Sequence, residues 1–254
     1  MIKHDMRQAF LNIYFPIAVV AAFAFLFYGD YEDIIYGGAD GILGILQYSS
    51  TLSYVPYILP VVAALPYAGC YYEEIHSGYY YFSQFRCNRK KYAMGKTVTA
   101  LISGMTVTMI ACVLFLVAAG LVNCYGFRIG GYEMFYGSGN LLSFFHSGHN
   151  WIVLLCKVLL LCMCSGFWAL VSLLSVAVMK NQYVALAMPF FLNVLIKYCV
   201  EYIGLQGIHP YYHSLALSSV TEQFPLGGIP VNIGYFLVAY VILFFVFYYS
   251  VEKK

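Results

Sequence analysis

The chain is 254 residues long, and hydrophobic residues make up 62% of it while charged residues make up only 9%. An ordinary soluble domain is about a quarter charged, so this composition excludes a soluble globular protein and predicts one embedded in lipid. The formal net charge of +2 gives no indication of a nucleic-acid partner.

Six apolar segments are long enough to cross a membrane as helices, which takes about twenty mostly apolar residues. In chain order these predicted spans are residues 10–28, 52–72, 97–123, 151–179, 183–202 and 232–250. We therefore predict an all-α polytopic membrane protein with six transmembrane helices in a single domain over residues 1–254. The second span is the least regular, because Pro56, Pro60 and Pro66 each remove a backbone donor that neighbouring protein must replace.

Residues 1–12 precede the first span and place Met6 and Phe10 on one face of a helix. We expect this segment to lie along the inner membrane surface before the chain turns into the first span.

The connection between the second and third spans, residues 71–96, is the most informative part of the chain. It carries Glu73 and Glu74, followed by five of the thirteen Lys and Arg residues: Arg86, Arg89, Lys90, Lys91 and Lys96. Ile75, Tyr79, Phe82 and Phe85 recur at three- and four-residue steps, which predicts a short amphipathic helix. Aromatic residues beside arginine are typical of protein interfaces. The composition therefore favours a docking surface over a basic loop that only sets topology and contacts anionic lipid.

Two later connections are predicted to be irregular and to lie on the outer side. Residues 124–150 contain six glycines, which favours irregular backbone. Residues 203–231 are moderately apolar and are interrupted by Pro210, Pro225 and Pro230. This pattern predicts short re-entrant segments that dip into the outer leaflet.

Basic residues fall almost entirely on one side of the predicted spans. With an even number of spans both termini share that side, which then holds ten Lys and Arg residues, while the opposite side holds only Arg128. Because basic loops stay in the cytoplasm, we predict that both termini are cytoplasmic.

Three ionisable residues fall within the spans: Lys157, Lys197 and Glu201. Charge within a bilayer is costly, so such residues mark functional sites by default. All three lie towards the outer ends of their spans. Extension of the lysines to outer head groups, or pairing of Lys197 with Glu201 one turn away, is therefore favoured over substrate binding, which stays open.

The remaining polar residues predict packing rather than chemistry. Ser103, Ser165 and Asn193 are expected at helix–helix contacts, as are Gly104 and Gly166. The eight cysteines form no disulfide framework, and His146, His149, His209 and His213 lack the further ligands of a metal site. No arrangement of nucleophile and base, or of paired carboxylates, supports catalysis, so the chain is not predicted to be an enzyme.

The order Glu73-Glu74-(x)2-Ser77-Gly78-Tyr79-Tyr80, followed by Arg89-Lys90-Lys91-Tyr92-(x)3-Lys96 and a further span, resembles the small permeases of type-2 ATP-binding-cassette (ABC) exporters. In that family a short coupling helix between the second and third of six spans seats on a separate ATPase subunit. The resemblance implies an ATPase-contacting set in this chain, which comprises Glu73, Glu74, Ser77, Gly78, Arg86, Arg89 and Lys90. It also implies outer re-entrant segments ahead of the last span.

The same resemblance implies a bacterial plasma-membrane exporter that works with two ATPase copies and a second permease, identical or related. ATP and Mg²⁺ would bind the ATPase, because this chain has no glycine-rich phosphate loop and no cofactor of its own is predicted. An amphipathic or hydrophobic substrate such as a peptide is expected. The alternatives are an ion-coupled secondary transporter or channel, and a membrane scaffold or sensor that moves nothing.

Overall fold

A computed structural model describes residues 2–29, 31–36, 41–51, 54–79, 88–122, 150–179, 181–203 and 228–252. All regular secondary structure within these ranges is α-helical, which confirms the predicted all-α class. The helices, numbered in chain order, are α1 (Ile2–Leu11), α2 (Tyr14–Tyr28), α3 (Tyr31–Tyr36), α4 (Ile42–Thr51), α5 (Val55–His76), α6 (Arg89–Val122), α7 (Asn150–Met179), α8 (Gln182–Ile203) and α9 (Gly228–Glu252).

Within the described ranges, five helices are long and apolar enough to cross a membrane, by length and composition. The qualifying stretches are Val55–His76, Arg89–Val122, Leu154–Met179, Gln182–Cys199 and Ile233–Val251. They correspond to the second to sixth predicted spans. The membrane character and five of the six predicted spans thus agree with the structure.

The first predicted span differs from the expectation, because residues 10–28 do not form one helix. α1 and α2 meet at a bend of 57°. The described part of the chain therefore contains six candidate spans only if this bent pair counts as one span. α2 alone has 15 residues, or about 22 Å at 1.5 Å per residue, against a hydrocarbon core of about 30 Å.

Asn12 and Pro16 explain the bend. Pro16 has no N–H to give to the Asn12 carbonyl, and its ring would clash with that carbonyl in a continuous helix. The Asn12 side chain instead accepts a hydrogen bond from the Tyr14 N–H at 3.3 Å, and the Asn12 carbonyl accepts one from the Phe15 N–H at 3.0 Å. These bonds begin α2 in a new direction.

α7 is the central helix of the bundle and packs against α5, α6, α8 and α9. α2 lies against α5 and α6, and α1 contacts the same two helices where α5 ends and α6 begins. We call this end of the bundle the α5–α6 end. α8 and α9 expose apolar side chains, such as Leu195, Val241 and Phe245, as expected of surfaces that face lipid.

The segment between the first two predicted spans includes two short helices. It contains α3 and α4, and α4 packs against α2, α5 and α6. Ile42, Ile45, Leu46 and Ser49 are buried at helical spacing. The predicted outer segments cannot be compared in this way, because residues 123–149 and 204–227 lie outside the described ranges.

The predicted packing role of the small residues is confirmed where α6 crosses α7. A Cβ atom on Gly104 would lie 2.7 Å from the Ala169 Cβ, and one on Gly166 would lie 3.0 Å from the Met105 side chain. The Ser165 hydroxyl donates to the Gly104 carbonyl at 3.1 Å. The two backbones therefore approach closely because these positions carry so little side chain.

The gap left by one proline of α5, Pro60, is compensated by a neighbouring helix, as predicted. Pro60 cannot donate to the carbonyl of Pro56 one turn earlier, and the Asn193 side-chain amide of α8 donates to that carbonyl at 2.9 Å. Asn193 thus fills a gap in the α5 hydrogen-bond ladder.

Replacing Asn193 with leucine should lower the free energy of unfolding by about 1 kcal/mol, the usual size of a hydrogen bond between membrane helices. In a Pro60→Ala background the restored N–H can bond the Pro56 carbonyl, so the same Asn193→Leu change should cost clearly less. Unfolding of the four variants in detergent micelles, followed by circular dichroism, measures the difference. Equal costs in both backgrounds would contradict this role for Asn193.

Candidate functional site

The predicted coupling region consists largely of the ends of two long helices. α5 continues to His76 and α6 begins at Arg89, so the predicted boundaries of 71–96 included turns of both helices. The chain between them is described at residues 77–79 and 88. Phe82, Phe85 and Arg86 lie outside the described residues, so the predicted amphipathic helix stays a prediction.

Ser77 and Gly78 end α5. The Ser77 N–H donates to the Glu73 carbonyl at 2.9 Å, and the Ser77 hydroxyl donates to the Glu74 carbonyl at 3.2 Å. Gly78 has φ +73°, a left-handed conformation that suits glycine and commonly ends a helix. The Ser-Gly pair therefore has a local structural role at the point where the chain leaves the bundle.

A buried ionic cluster joins three helices at the α5–α6 end. The Lys96 ammonium of α6 contacts Asp5 Oδ1 of α1 at 2.9 Å and also bonds Glu74 Oε2 of α5. The three side chains are only 3%, 5% and 8% exposed, respectively. We call Asp5, Glu74, Lys96 and their partner Tyr92 the ionic cluster.

Tyr92 completes this arrangement from the same face of α6 as Lys96, one helical turn away. Its hydroxyl donates to Glu74 Oε1 at 3.1 Å, and the Lys96 ammonium lies 5.4 Å from the centre of its ring. Both oxygens of Glu74 are therefore bonded, one by a neutral donor and one by a cation. Such charge-assisted contacts offset the cost of burying ionised groups.

The junction of α1 and α2 is fixed beside the cluster. The Asn12 side-chain amide donates to the Cys70 sulfur of α5 at 3.0 Å, and this buried thiol lies 3.8 Å from the Gln8 carbonyl of α1. Among the described side chains of α1, the buried ones are Asp5 and Ala9, which lie one turn apart. α1 therefore lies against α5 and α6 along a specific polar seam.

Exposed charges surround the buried cluster. Lys3 and Arg7 are exposed on α1, and Arg89, Lys90 and Lys91 are exposed in the first turn of α6. Glu73 is exposed although the adjacent Glu74 is buried. We call these five cations and Glu73 the charged surface. Among the described side chains, Glu73, Arg89 and Lys90 form no ion pair, so they are available to a partner.

The predicted ATPase-contacting set is thus divided by the structure. Glu73, Ser77, Arg89 and Lys90 are exposed, and Gly78 is partly exposed. Glu74 bonds within the protein, so its carboxylate faces Lys96 rather than the surface. Arg86 is outside the described residues. Asp5 was not among the predicted site residues. Its only signal in the sequence is its isolation, because the next acidic residue, Asp30, comes 25 positions later.

The charged residues within the membrane spans lie at separate places. Lys157 of α7 is fully buried, with 0% of its surface exposed. This differs from the expectation that its side chain extends to the lipid head groups. Lys197 of α8 donates a hydrogen bond to the Tyr57 hydroxyl of α5 and lies 4.6 Å from the centre of that ring. Lys197 therefore has a partner on another helix. The side chain of its predicted partner, Glu201, is outside the described part.

Among the described residues, no group of three or more His, Cys, Asp or Glu side chains could hold a metal ion. The four histidines considered from the sequence lie outside the described ranges. No family model, curated protein or solved structure matches this chain. A functional assignment therefore depends on the ionic cluster, the charged surface and the sequence pattern that surrounds them.

Proposed function

We propose that this protein is the membrane-spanning subunit of an ATP-driven type-2 ABC exporter. It would act in a bacterial plasma membrane with six spans, the first formed by the bent α1–α2 pair, and with both termini in the cytoplasm. Two ATPase copies would bind ATP and Mg²⁺, and a second permease, identical or related, would complete the assembly. The cargo would be an amphipathic or hydrophobic molecule such as a peptide.

The observation that carries this proposal is that the charged surface lies next to the buried ionic cluster, which links α5 to α6. A partner that moved the connection between these helices would act on both together, because Lys96 of α6 is bonded to Glu74 of α5. Both helices pack on the central helix α7. Movement at the surface would therefore reach the core of the bundle through packed, hydrogen-bonded elements.

The charge of this surface suits a protein partner. It presents cations from α1 and α6 with one exposed carboxylate, Glu73, at the end of α5. A surface that bound only anionic lipid would gain nothing from this carboxylate. Opposite charges in a fixed arrangement instead provide orientation and specificity in a protein interface.

Co-purification tests this proposal. The full chain is expressed with the ATPase subunits of its host, and the double variant Glu73→Arg/Arg89→Glu should lose the ATPase that the parent chain retains. The control Glu73→Asp/Arg89→Lys keeps both charges and should retain the ATPase. Equal elution of all three chains in size-exclusion chromatography shows that folding is unchanged. Retention of an ATPase by the charge-reversed variant, or its absence from the parent chain, contradicts the proposal.

The full burial of Lys157 specifically favours a second candidate, an ion-coupled transporter or channel. An ionisable residue enclosed by membrane helices is a common feature of ion and proton pathways. Transport in liposomes that contain only this chain would support that candidate, particularly if Lys157→Met abolished it. Transport that requires an ATPase and ATP would support the exporter.

A further inference from the structure

Lys197 of α8 and Tyr57 of α5 hold hydrogen-bond donors side by side. The Lys197 ammonium donates to the Tyr57 hydroxyl oxygen and lies 4.6 Å from the centre of the Tyr57 ring. An ammonium has three N–H donors, and a phenol has one O–H donor. Because only one N–H is used in this bond, the remaining N–H groups of Lys197 and the Tyr57 O–H can donate to a further acceptor. We call these two residues the donor pair.

The donor pair has no acceptor in the part of the chain that the structure describes. Within these ranges Lys197 forms no ion pair, and its hydrogen bond is to the neutral Tyr57. The tyrosine ring attracts the ammonium but does not neutralise its charge. An uncompensated charge within a membrane span is costly. The ligand that suits the donor pair is therefore an oxygen acceptor that carries negative charge.

An adjoining contact between the same two helices fixes the position of the donor pair. Asn193 lies one turn before Lys197 in α8, and only 1% of its surface is exposed. Its side-chain amide donates at 2.9 Å to the carbonyl of Pro56, the residue before Tyr57. This bond sets the register of α8 against α5. The donors are thus in place before a ligand arrives, which lowers the cost of binding it.

The donor pair lies at the end of the bundle opposite the α5–α6 end. Tyr57 is two residues into the spanning stretch Val55–His76, and Lys197 is two residues before the end of Gln182–Cys199. Each is therefore about 3 Å from the end of its stretch. Three tyrosines near the pair in sequence are exposed, as is typical of the membrane–water interface: Tyr54, Tyr198 and Tyr202. Lipid head groups begin at this depth.

We propose that Lys197 and Tyr57 bind the phosphate group of a membrane phospholipid at the junction of α5 and α8. Both side chains are partly exposed, so a head group can reach them. The ammonium supplies the opposite charge, and both residues donate to phosphate oxygens. The acyl chains lie along α8, which exposes the apolar side chains of Phe191 and Leu195. This site requires neither an ATPase nor a cargo, so it does not depend on the exporter proposal.

Native mass spectrometry of the purified full chain tests this proposal. The chain in detergent micelles is titrated with phosphatidylglycerol or with diacylglycerol that has the same acyl chains but no phosphate. The parent chain should bind phosphatidylglycerol more tightly. Lys197→Met and Tyr57→Phe should each weaken this binding by at least about tenfold, the usual effect of losing a hydrogen bond to a charged group. Neither change should alter the binding of diacylglycerol.

Matched variants separate the site from general effects on charge and folding. Tyr54→Phe removes the hydroxyl of an exposed tyrosine three residues before Tyr57, and Lys90→Met removes an exposed charge at the α5–α6 end. Both should bind phosphatidylglycerol as the parent chain does. Lys197→Arg keeps the charge and the donors, so it should retain most of the binding. Equal elution of all variants in size-exclusion chromatography shows that folding is unchanged.

Three results would overturn the proposal. Equal affinity of the parent chain for the two lipids, or a preference that Lys197→Met and Tyr57→Phe leave unchanged, would show that the donor pair does not recognise phosphate. A preference that appears only in Glu201→Gln would show that the Glu201 carboxylate, one turn after Lys197, already occupies the donors. Tighter binding of palmitate than of phosphatidylglycerol, lost in the same two variants, would assign the site to a carboxylate instead.

Discussion

Replacing Lys96 with methionine is expected to lower the free energy of unfolding by about 3–5 kcal/mol, the usual cost of removing one partner from a buried ion pair. The methionine fills much the same volume, so the loss would be electrostatic rather than a loss of packing. Glu74 would keep only the Tyr92 hydroxyl as a donor, and Asp5 would lose its contact with α6. Unfolding in detergent micelles, with circular dichroism as the signal, measures the change.

Lys90→Met is the matched control, because Lys90 lies in the same helix and is exposed. A surface charge of this kind contributes at most about 1 kcal/mol. The triple variant Asp5→Asn/Glu74→Gln/Lys96→Met has no charge in the cluster and should recover much of the stability lost in Lys96→Met. An effect of Lys96→Met no larger than that of Lys90→Met would show that the ionic cluster does not stabilise the fold.

The same variants connect stability with the proposed function. If the connection between α5 and α6 receives motion from an ATPase, Lys96→Met should reduce transport more than it reduces ATPase binding, because the charged surface remains intact. Glu73→Arg/Arg89→Glu should instead abolish ATPase binding, although the ionic cluster remains intact. These two outcomes separate the docking surface from the elements beneath it.

Hydropathy predicted most of the fold because it reports directly on which segments can reside in lipid. The fourth span illustrates this, since residues 151–179 were predicted and α7 covers Asn150–Met179. The prolines of α5 also indicated that a neighbour must supply a donor, although they did not identify Asn193. Hydropathy and proline positions are properties of one segment, so they can be read from a single sequence without knowing how the helices pack.

Other features had local signals that hydropathy alone does not detect. Pro16, four residues after Asn12, indicates that a helix cannot continue through this point, so it could have located the bend. Ile42, Ile45, Leu46 and Ser49 have the spacing of a buried helical face, which could have predicted α4. Similarly, Glu74 is three residues after Tyr71 and seven after Tyr67, so it lies on the buried face of α5, whereas Glu73 does not.

The composition of the ionic cluster could not be predicted in this way. Asp5 and Lys96 are 91 residues apart, and no pattern in either helix indicates the other as its partner. Their contact depends on how α1 lies across α5 and α6, which is a property of the assembled bundle. The burial of Lys157 is similar, because its distance from a span end suggested access to head groups while the surrounding helices enclose it.

Replacing Gly104 with alanine is expected to destabilise the bundle by about 1–3 kcal/mol, the usual cost of forcing an extra group into a well-packed core. The added Cβ would lie 2.7 Å from the Ala169 Cβ and 3.0 Å from the Ser165 carbonyl oxygen. Relief would require α6 and α7 to separate, which would also strain the bond from the Ser165 hydroxyl to the Gly104 carbonyl. Thermal unfolding in micelles measures the loss.

Gly234→Ala in α9 is the matched control, since a Cβ atom there meets nothing within 4 Å. Alanine favours a helix over glycine by up to about 1 kcal/mol, so this control should be neutral or stabilising. Adding Ala169→Gly to Gly104→Ala removes the closer of the two clashes but leaves the one with the Ser165 backbone, so it should recover only part of the stability. If Gly104→Ala proved as stable as Gly234→Ala, the α6–α7 crossing would have to be looser than the structure shows. The proposal that movement at the charged surface is transmitted to α7 through tightly packed helices would then be unsupported.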